Sequence, residues 1–219
     1  MRRARADGPV AAKGSQREET RARLIAAASL LLVDQSLIEL TAIDIAATAG
    51  FSNATFYIHF KDPYEAVYQA CKDISQSPPH LLATLCDPWT TDTAEDQAVA
   101  LIDGYFQMWD AHRPLLRARN LAAEEGDERF KTLRQNAVAP LAAALHRQIE
   151  WGQAGGRVAR DIDAGALANS LLALMERTGA VQHEYEYISP QWHDLYVDAV
   201  IHALLATLGF PRIRNAGSE

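Results

Sequence analysis

Between Thr41 and Phe60 the chain reads TAIDIAATAGFSNATFYIHF, which places two helix starts around one helix stop within twenty residues. Thr41, followed three positions later by Asp44, fits an N-terminal cap pair opening a helix over 41–49. Ile43, Ala46 and Ala47 are expected to face inward on it. Gly50 suits the position just past that helix, because a residue without Cβ takes φ > 0 at no steric cost. Phe51 is the apolar residue of the turn, and Ser52 caps a second short helix over 52–58. Small residues (Ala46, Ala47, Ala49, Ala54) let two helices cross at short range, so the segment predicts a helix-turn-helix. The spacing alone also suits two short helices of a bundle.

In a helix-turn-helix the second helix meets base edges with its N-terminal residues while the first crosses the phosphate backbone. The outward positions expected here are Ser52, Asn53, Thr55, Tyr57 and His59, a set of hydroxyl, amide and imidazole groups suited to base edges and phosphate oxygens. Ala54 or the Thr55 methyl suits a thymine methyl. Phe56 and Phe60 read as anchors for the short helix.

The rest of the 219 residues has apolar positions spaced three and four apart, with almost no alternating Val/Ile/Thr runs, so the fold class expected is all-α. The first helix is expected from Glu18 to Gln35, with Leu24, Ala27, Ala28 and Leu31 on one face and Ile25 and Leu32 beside it. Breaks at Pro78-Pro79, Asp87-Pro88, His112-Arg113-Pro114, Gly126, Gly155-Gly156 and Ser189-Pro190 mark helices near 63–77, 94–111, 114–124, 128–153, 163–187 and 190–208. Asp163 caps the fifth of these, while Ser189 as cap, Pro190 at the first position and Gly209 beyond the end punctuate the last. The organisation expected is a flexible basic arm over 1–16, a helix-turn-helix DNA-binding domain over 17–62, a helical domain over 63–212 and a tail over 213–219.

Charge is uneven along this chain. The net charge of −7 argues against a protein that coats nucleic acid through its overall field. Residues 1–23, however, hold seven basic against three acidic residues, and residues 73–219 carry a net −8. Between 24 and 60 there is no Lys or Arg at all. Phosphate contacts there must come from neutral donors and helix N-termini, with positive charge supplied by Arg17, Arg21 and Lys61. An acidic body would be repelled by a duplex and leave the near-neutral head, with its basic arm, facing it.

No metal or catalytic constellation stands out. None of the seven histidines has Glu three residues before it, as a di-iron bundle requires. GxGxxG, GxxxxGK[ST] and GxSxG are absent. The expectation is no enzyme, no cofactor and no metal, with a helical-bundle enzyme or a protein-interaction module that does not bind DNA as the alternatives. Cys71 and Cys86 are too few for a disulfide framework and read as reduced, partly buried thiols. No stretch reaches the roughly 18 unbroken apolar residues of a membrane helix, so no membrane partner is expected and the compartment expected is the cytoplasm. Aromatics recur at helical spacing in the body, notably Tyr105, Phe106 and Trp109, with Trp151 further on. Most such residues are core, and the functional alternative is an apolar effector cavity between helices. Gly104 beside Tyr105 marks either a close approach or room for something else.

The pattern Thr41-x-x-Asp44-Ile45-Ala46-x-x-Ala49-Gly50-Phe51-Ser52-x-x-Thr55-Phe56-Tyr57-x-x-Phe60 resembles the DNA-binding signature of the TetR/AcrR family of transcriptional regulators. The run Phe60-Lys61-Asp62-Pro63 departs from the family's usual sequence in having Pro63 where a second Lys stands. The resemblance implies that Thr41, Tyr57 and the capping Ser52 contact phosphates and that Asn53, Ala54 and Thr55 face bases. Ile102–Phe106 through His112, with Leu174-Met175-Glu176-Arg177-Thr178, resembles the family's ethionamide-activation repressor branch, which binds elongated hydrophobic ligands in an aromatic-lined channel. It implies that Tyr105 and Trp109 line such a channel, with Leu172 and Met175 where the branch offers amide side chains. The resemblance further implies a repressor released by a small hydrophobic effector. It also implies that 63–212 is an effector-binding and dimerisation domain, with a homodimer formed through the last two helices, where Leu171 and Leu174, then Val197, Val200, Ile201, Leu204 and Leu205, give apolar stripes; the stripes also suit packing within one monomer. Two-fold symmetry doubles the number of base pairs read, so a dimer on a palindromic operator is expected.

Overall fold

The computed structural model describes residues 9–184 and 191–212, and the described residues form nine helices and no strand. They are α1 (Pro9–Leu31), α2 (Ala42–Ala49), α3 (Asn53–His59), α4 (Pro63–Ile74), α5 (Pro79–Ala83), α6 (Ala94–Glu124), α7 (Glu128–Ala154), α8 (Ala164–Val181) and α9 (Trp192–Thr207). The all-α expectation is met, with differences at element ends. Helix α1 begins at Pro9, well inside the stretch expected to be a flexible arm, since proline is pre-set for a first helical position and alanines follow it. It stops at Leu31 instead of Gln35, because the amides of Val33 and Asp34 turn back to the carbonyls three residues earlier. Pro78-Pro79, read as a break, instead opens the short helix α5. The cap expected at Ser189-Pro190 lies outside the described residues. Helix α9 is described from Trp192, preceded by Gln191.

Two compact units emerge, and their boundary does not follow the expected division at 62/63. The first joins the chain up to Ile74 with Pro114–Arg134, and the second joins Ser75–Arg113 with the chain from Gln135 onward. Helix α6 runs through the junction at Arg113, where His112 leaves helical geometry (φ −131°, ψ 15°) just before Pro114. Proline lacks the N–H for an intrahelical bond and crowds the preceding turn, so the expected break is a kink within one helix.

The core of the first unit is built on Leu24 and Ala28 of α1, Ile45 of α2, Phe56 of α3, Val67 of α4 and Phe130 of α7, all at 0% exposure. Burying a side chain of this size contributes about 1.5–3 kcal/mol, so the two-turn α3 is held chiefly by its Phe56 anchor and by Phe60 packed 5.6 Å from it. Tyr64 and Tyr68 of α4 set their edges against Phe130 at 6.4 and 5.5 Å, and Cys71 of α4 donates to the Leu115 carbonyl at 3.4 Å. Helix α4 is thereby fastened to residues 115–130. The inward face of α2 is Ala42, Ile45, Ala46 and Ala49, which corrects the expected register: Ile43 is 63% exposed and Ala47 is exposed as well. A two-turn helix fits both apolar sets, and packing against α1 selects the one containing Ile45.

In the second unit, Trp89 is pinned by its indole N–H donating to the Thr84 carbonyl at 2.7 Å. The buried Gln148 amide accepts from Trp89 N at 3.2 Å and donates to the Asp87 carbonyl at 2.5 Å. Gly104 marks close approach, since a Cβ there would lie 2.7 Å from Leu81 Cδ2 and 3.2 Å from His80 Nε2 of α5. Of the two cysteines, Cys71 is buried and Cys86 is exposed, against the expectation that both are partly buried. Among the described residues no helix is long and apolar enough to cross a membrane.

Candidate DNA-recognition face and effector site

Local capping sets the geometry of α2 and α3. Thr41 Oγ1 accepts from Asp44 N at 3.1 Å and donates to Asp44 Oδ2 at 2.5 Å, a reciprocal cap that commits its only hydroxyl hydrogen. Gly50 takes φ +76° and receives the turn: its N–H donates to the Ala47 carbonyl at 3.0 Å and that of Phe51 to Ala46 at 2.8 Å. Ser52 Oγ accepts from Thr55 N at 3.1 Å, and the two hydroxyls share a hydrogen at 2.9 Å. The helix-turn-helix predicted from sequence is formed, with its capping residues in the roles expected.

The exposed surface of α3 and its cap comprises Ser52, Asn53, Ala54, Tyr57 and Ile58, with Thr55 and His59 half-buried. Thr55 turns its hydroxyl to the cap, so its methyl is the part left to a base. Ala54, expected among the small residues between helices, instead points outward. Sequence reasoning passed over Ile58, which is 65% exposed one turn beyond Ala54. Its signal is that spacing: with Phe56 and Phe60 inward, positions 54 and 58 share the opposite face.

Positive charge borders this face. Arg17 and Arg21 stand one turn apart on α1, and the Arg21 guanidinium lies 4.9 Å from the centre of the Phe60 ring. Both arginines reach His59 electrostatically. Burial first, then Arg17 and Arg21, hold the His59 imidazole below its ordinary value, which favours its neutral form. Lys61 is well exposed, 3.8 Å from Asp62. Arg23 acts within the fold instead. It donates to the Ala49 carbonyl at 2.7 Å and stacks 4.5 Å from the Phe51 ring, closing the C-terminal end of α2. The sequence offers no local signal for that bond, which spans 26 positions.

In the second unit Tyr105, Phe106 and Trp109 of α6 and Leu172 and Met175 of α8 are all buried, while Trp151 stands half-buried on α7. The structure brings Trp109 against α8 at Gly179, where a Cβ would lie 2.6 Å from indole Cδ1. Just beyond, Gln182 Nε2 donates to Asp110 Oδ1 at 2.6 Å, and His183 Nε2 lies 2.6 Å from the same oxygen. The His183 ring stacks on His193 of α9 at 5.8 Å. Sequence reasoning missed this polar group, since its members are far apart in the chain and follow no motif. Among the described residues no cluster of ligating side chains suits a metal.

Of the residues expected at a dimer seam, Leu171, Val200, Ile201, Leu204 and Leu205 are buried within the single chain. Leu174 is 40% exposed, Val197 half-buried, and Leu195, also on α9, 55% exposed.

Residues 82–209 match the model of the tetracyclin repressor-like C-terminal domain. The chain is 30% identical over 160 residues to the HTH-type transcriptional regulator EthR of Mycobacterium tuberculosis, covering 71% of each protein. Among solved structures it is similar to a tetR-family regulatory protein from Rhodococcus RHA1, with a TM-score of 0.64 at 19% identity over 88% of this chain and 98% of that one. A further similar structure is FadR from Bacillus subtilis in complex with stearoyl-CoA, with a TM-score of 0.58 at 15% identity over 85% and 98% of the two chains. With the capped α2–turn–α3 unit at one end and the matched helical domain following it, the chain belongs to the TetR family of ligand-responsive, DNA-binding transcriptional regulators.

Proposed function

We propose that this regulator is a cytoplasmic repressor that binds a palindromic operator as a homodimer and leaves it when a small, largely apolar effector enters the second unit. The observation that carries the DNA reading is the exposed face of α3, with Asn53, Ala54, Tyr57 and Ile58 bordered by Arg17, Arg21 and Lys61. Asn53 reads a base edge, Ala54, Ile58 and the Thr55 methyl meet thymine methyls, and Tyr57 with the basic residues holds phosphates. Ser52 and Thr41 have their side chains committed to caps, so they serve phosphates through the helix N-termini they shape.

The effector reading rests on the buried side chains Tyr105, Phe106 and Trp109 of α6 and Leu172 and Met175 of α8, with Trp151 of α7 half-buried. The similarity to a FadR bound to stearoyl-CoA supports an apolar ligand. Effector binding against Tyr105 and Trp109 shifts α6 about its kink at His112, and residues 115–125 carry the shift to α4 through Cys71 and Tyr64. Moving α4 changes the separation of two recognition helices that must dock one helical turn apart. Leu174, Val197 and Leu195 are the apolar positions of α8 and α9 left for a second copy, while Leu171, Val200, Ile201, Leu204 and Leu205 pack within the chain behind them.

The test is fluorescence anisotropy of the full chain on the duplex upstream of its own gene, with light scattering for the mass of the complex. Saturable binding of a dimer at physiological salt supports the reading; binding no tighter than to random DNA contradicts it.

A further inference from the structure

Trp109 and Gln182 are sealed from solvent, at 1% and 0% exposure, and each holds a polar atom with no partner: the indole Nε1–H and the amide Oε1. Buried polar atoms are hydrogen-bonded in the great majority of cases, so two orphans on packed elements point to a third participant. The orientation of Gln182 is set by its neighbours. Its Nε2 donates to Asp110 Oδ1 at 2.6 Å and reaches the Phe106 carbonyl at 3.5 Å, and turning the amide over would oppose two oxygens at the shorter contact. Oε1 is therefore presented as an acceptor, while an indole nitrogen only donates. The two atoms belong to one neighbourhood. Trp109 precedes Asp110 in the chain, and its ring lies against Gly179, one turn before Gln182. A Cβ at position 179 would sit 3.0 Å from Nε1, so glycine lets the indole pack directly against α8 one turn before Gln182.

We propose that Trp109 Nε1 and Gln182 Oε1 form the polar end of the effector site and receive an uncharged head group that both accepts and donates a hydrogen bond, as a primary carboxamide or an alcohol does. The inference rests on the effector reading above and narrows it to a ligand class. A carboxylate has no hydrogen for Gln182 and would approach the Asp110 carboxylate; an ammonium has no lone pair for Trp109. Asp110 positions Gln182, and the apolar body of the ligand runs along Phe106 and Met175.

Octanamide tests this directly against 2-nonanone, its isostere without the donor, and against octanoate. The readout is the ¹⁵N–¹H indole spectrum of the full chain, whose four tryptophans give one signal each, with Trp109→Phe assigning the relevant one. Octanamide is expected to move the Trp109 signal and to bind at least roughly tenfold more tightly than 2-nonanone or octanoate, because a site built around buried polar atoms rejects analogues that leave them unpaired. Gln182→Leu should reduce that preference to about twofold or less. An unmoved Trp109 signal at saturating octanamide, equal binding of the three compounds, or a preference that survives Gln182→Leu overturns the proposal. Equal binding with release of DNA leaves the apolar-effector reading standing, whereas absence of binding and release by all three counts against both. The wild-type titration is decisive even where a variant fails to fold.

Discussion

The guanidinium of Arg23 donates to the Ala49 carbonyl at 2.7 Å and stacks on Phe51, so one side chain of α1 closes the end of α2 and holds the turn into α3. This makes Arg23 a structural cation, unlike Arg17 and Arg21, for which a role on DNA is proposed. Arg23→Ala is expected to lower stability by about 1 kcal/mol and to weaken DNA binding without altering its salt dependence. Arg17→Ala should leave stability unchanged and reduce the slope of log affinity against log salt by about 1. Urea unfolding and anisotropy across a salt series separate the two; a reduced slope for Arg23→Ala alone contradicts the assignment.

If His59 lies against phosphates, DNA binding should depend on pH. Its pKa is held below 6.5 in the free protein by burial and by Arg17 and Arg21, and neighbouring phosphates would raise it. Binding then takes up a proton, so affinity should rise up to roughly tenfold from pH 8 to pH 6, and His59→Asn should flatten that part of the profile. The sign for stability is opposite. A histidine with depressed folded pKa is protonated first in the unfolded chain, so its unfavourable effect appears as pH falls below about 6.5. Anisotropy against pH for both proteins is the check.

Gly179 reverses an ordinary expectation. Glycine-to-alanine in a helix interior usually stabilises by about 1 kcal/mol. At position 179 the new Cβ would meet Trp109 at 2.6 and 2.7 Å, and displacing a packed indole costs about 1–3 kcal/mol. Gly179→Ala is expected to lower the urea midpoint, where a solvent-facing glycine would have raised it.

The two cysteines should react at different rates. Burial pushes the Cys71 thiol up to about 12, and the thiolate is the reactive species, whereas Cys86 is exposed. A disulfide reagent at pH 8 should modify one thiol per chain within minutes and the second only on unfolding. Two equally fast thiols would show that α4 does not hold its packing.

What the sequence made legible follows the range of each interaction. The caps at Thr41 and Ser52 and the left-handed Gly50 act over three or four residues, so spacing alone identifies them. The face of α2 is ambiguous in the sequence because Ile43-Ala46-Ala47 and Ala42-Ile45-Ala46-Ala49 both have helical spacing, and only the packing of α1 decides between them. Helix α5 escapes because Pro78-Pro79 both ends an element and starts one. The bond from Arg23 to Ala49, and that from Gln182 to Asp110 across 72 positions, have no sequence signature. Both depend on how whole helices come together.

Selection of bound duplexes from a random DNA pool tests whether α3 reads bases as one of a symmetric pair. Two inverted half-sites should be enriched, their centres about one helical turn, or a multiple of it, apart, and Asn53→Ala should change the preference at one position of each half-site. No enrichment, or an identical preferred sequence for Asn53→Ala, would contradict it.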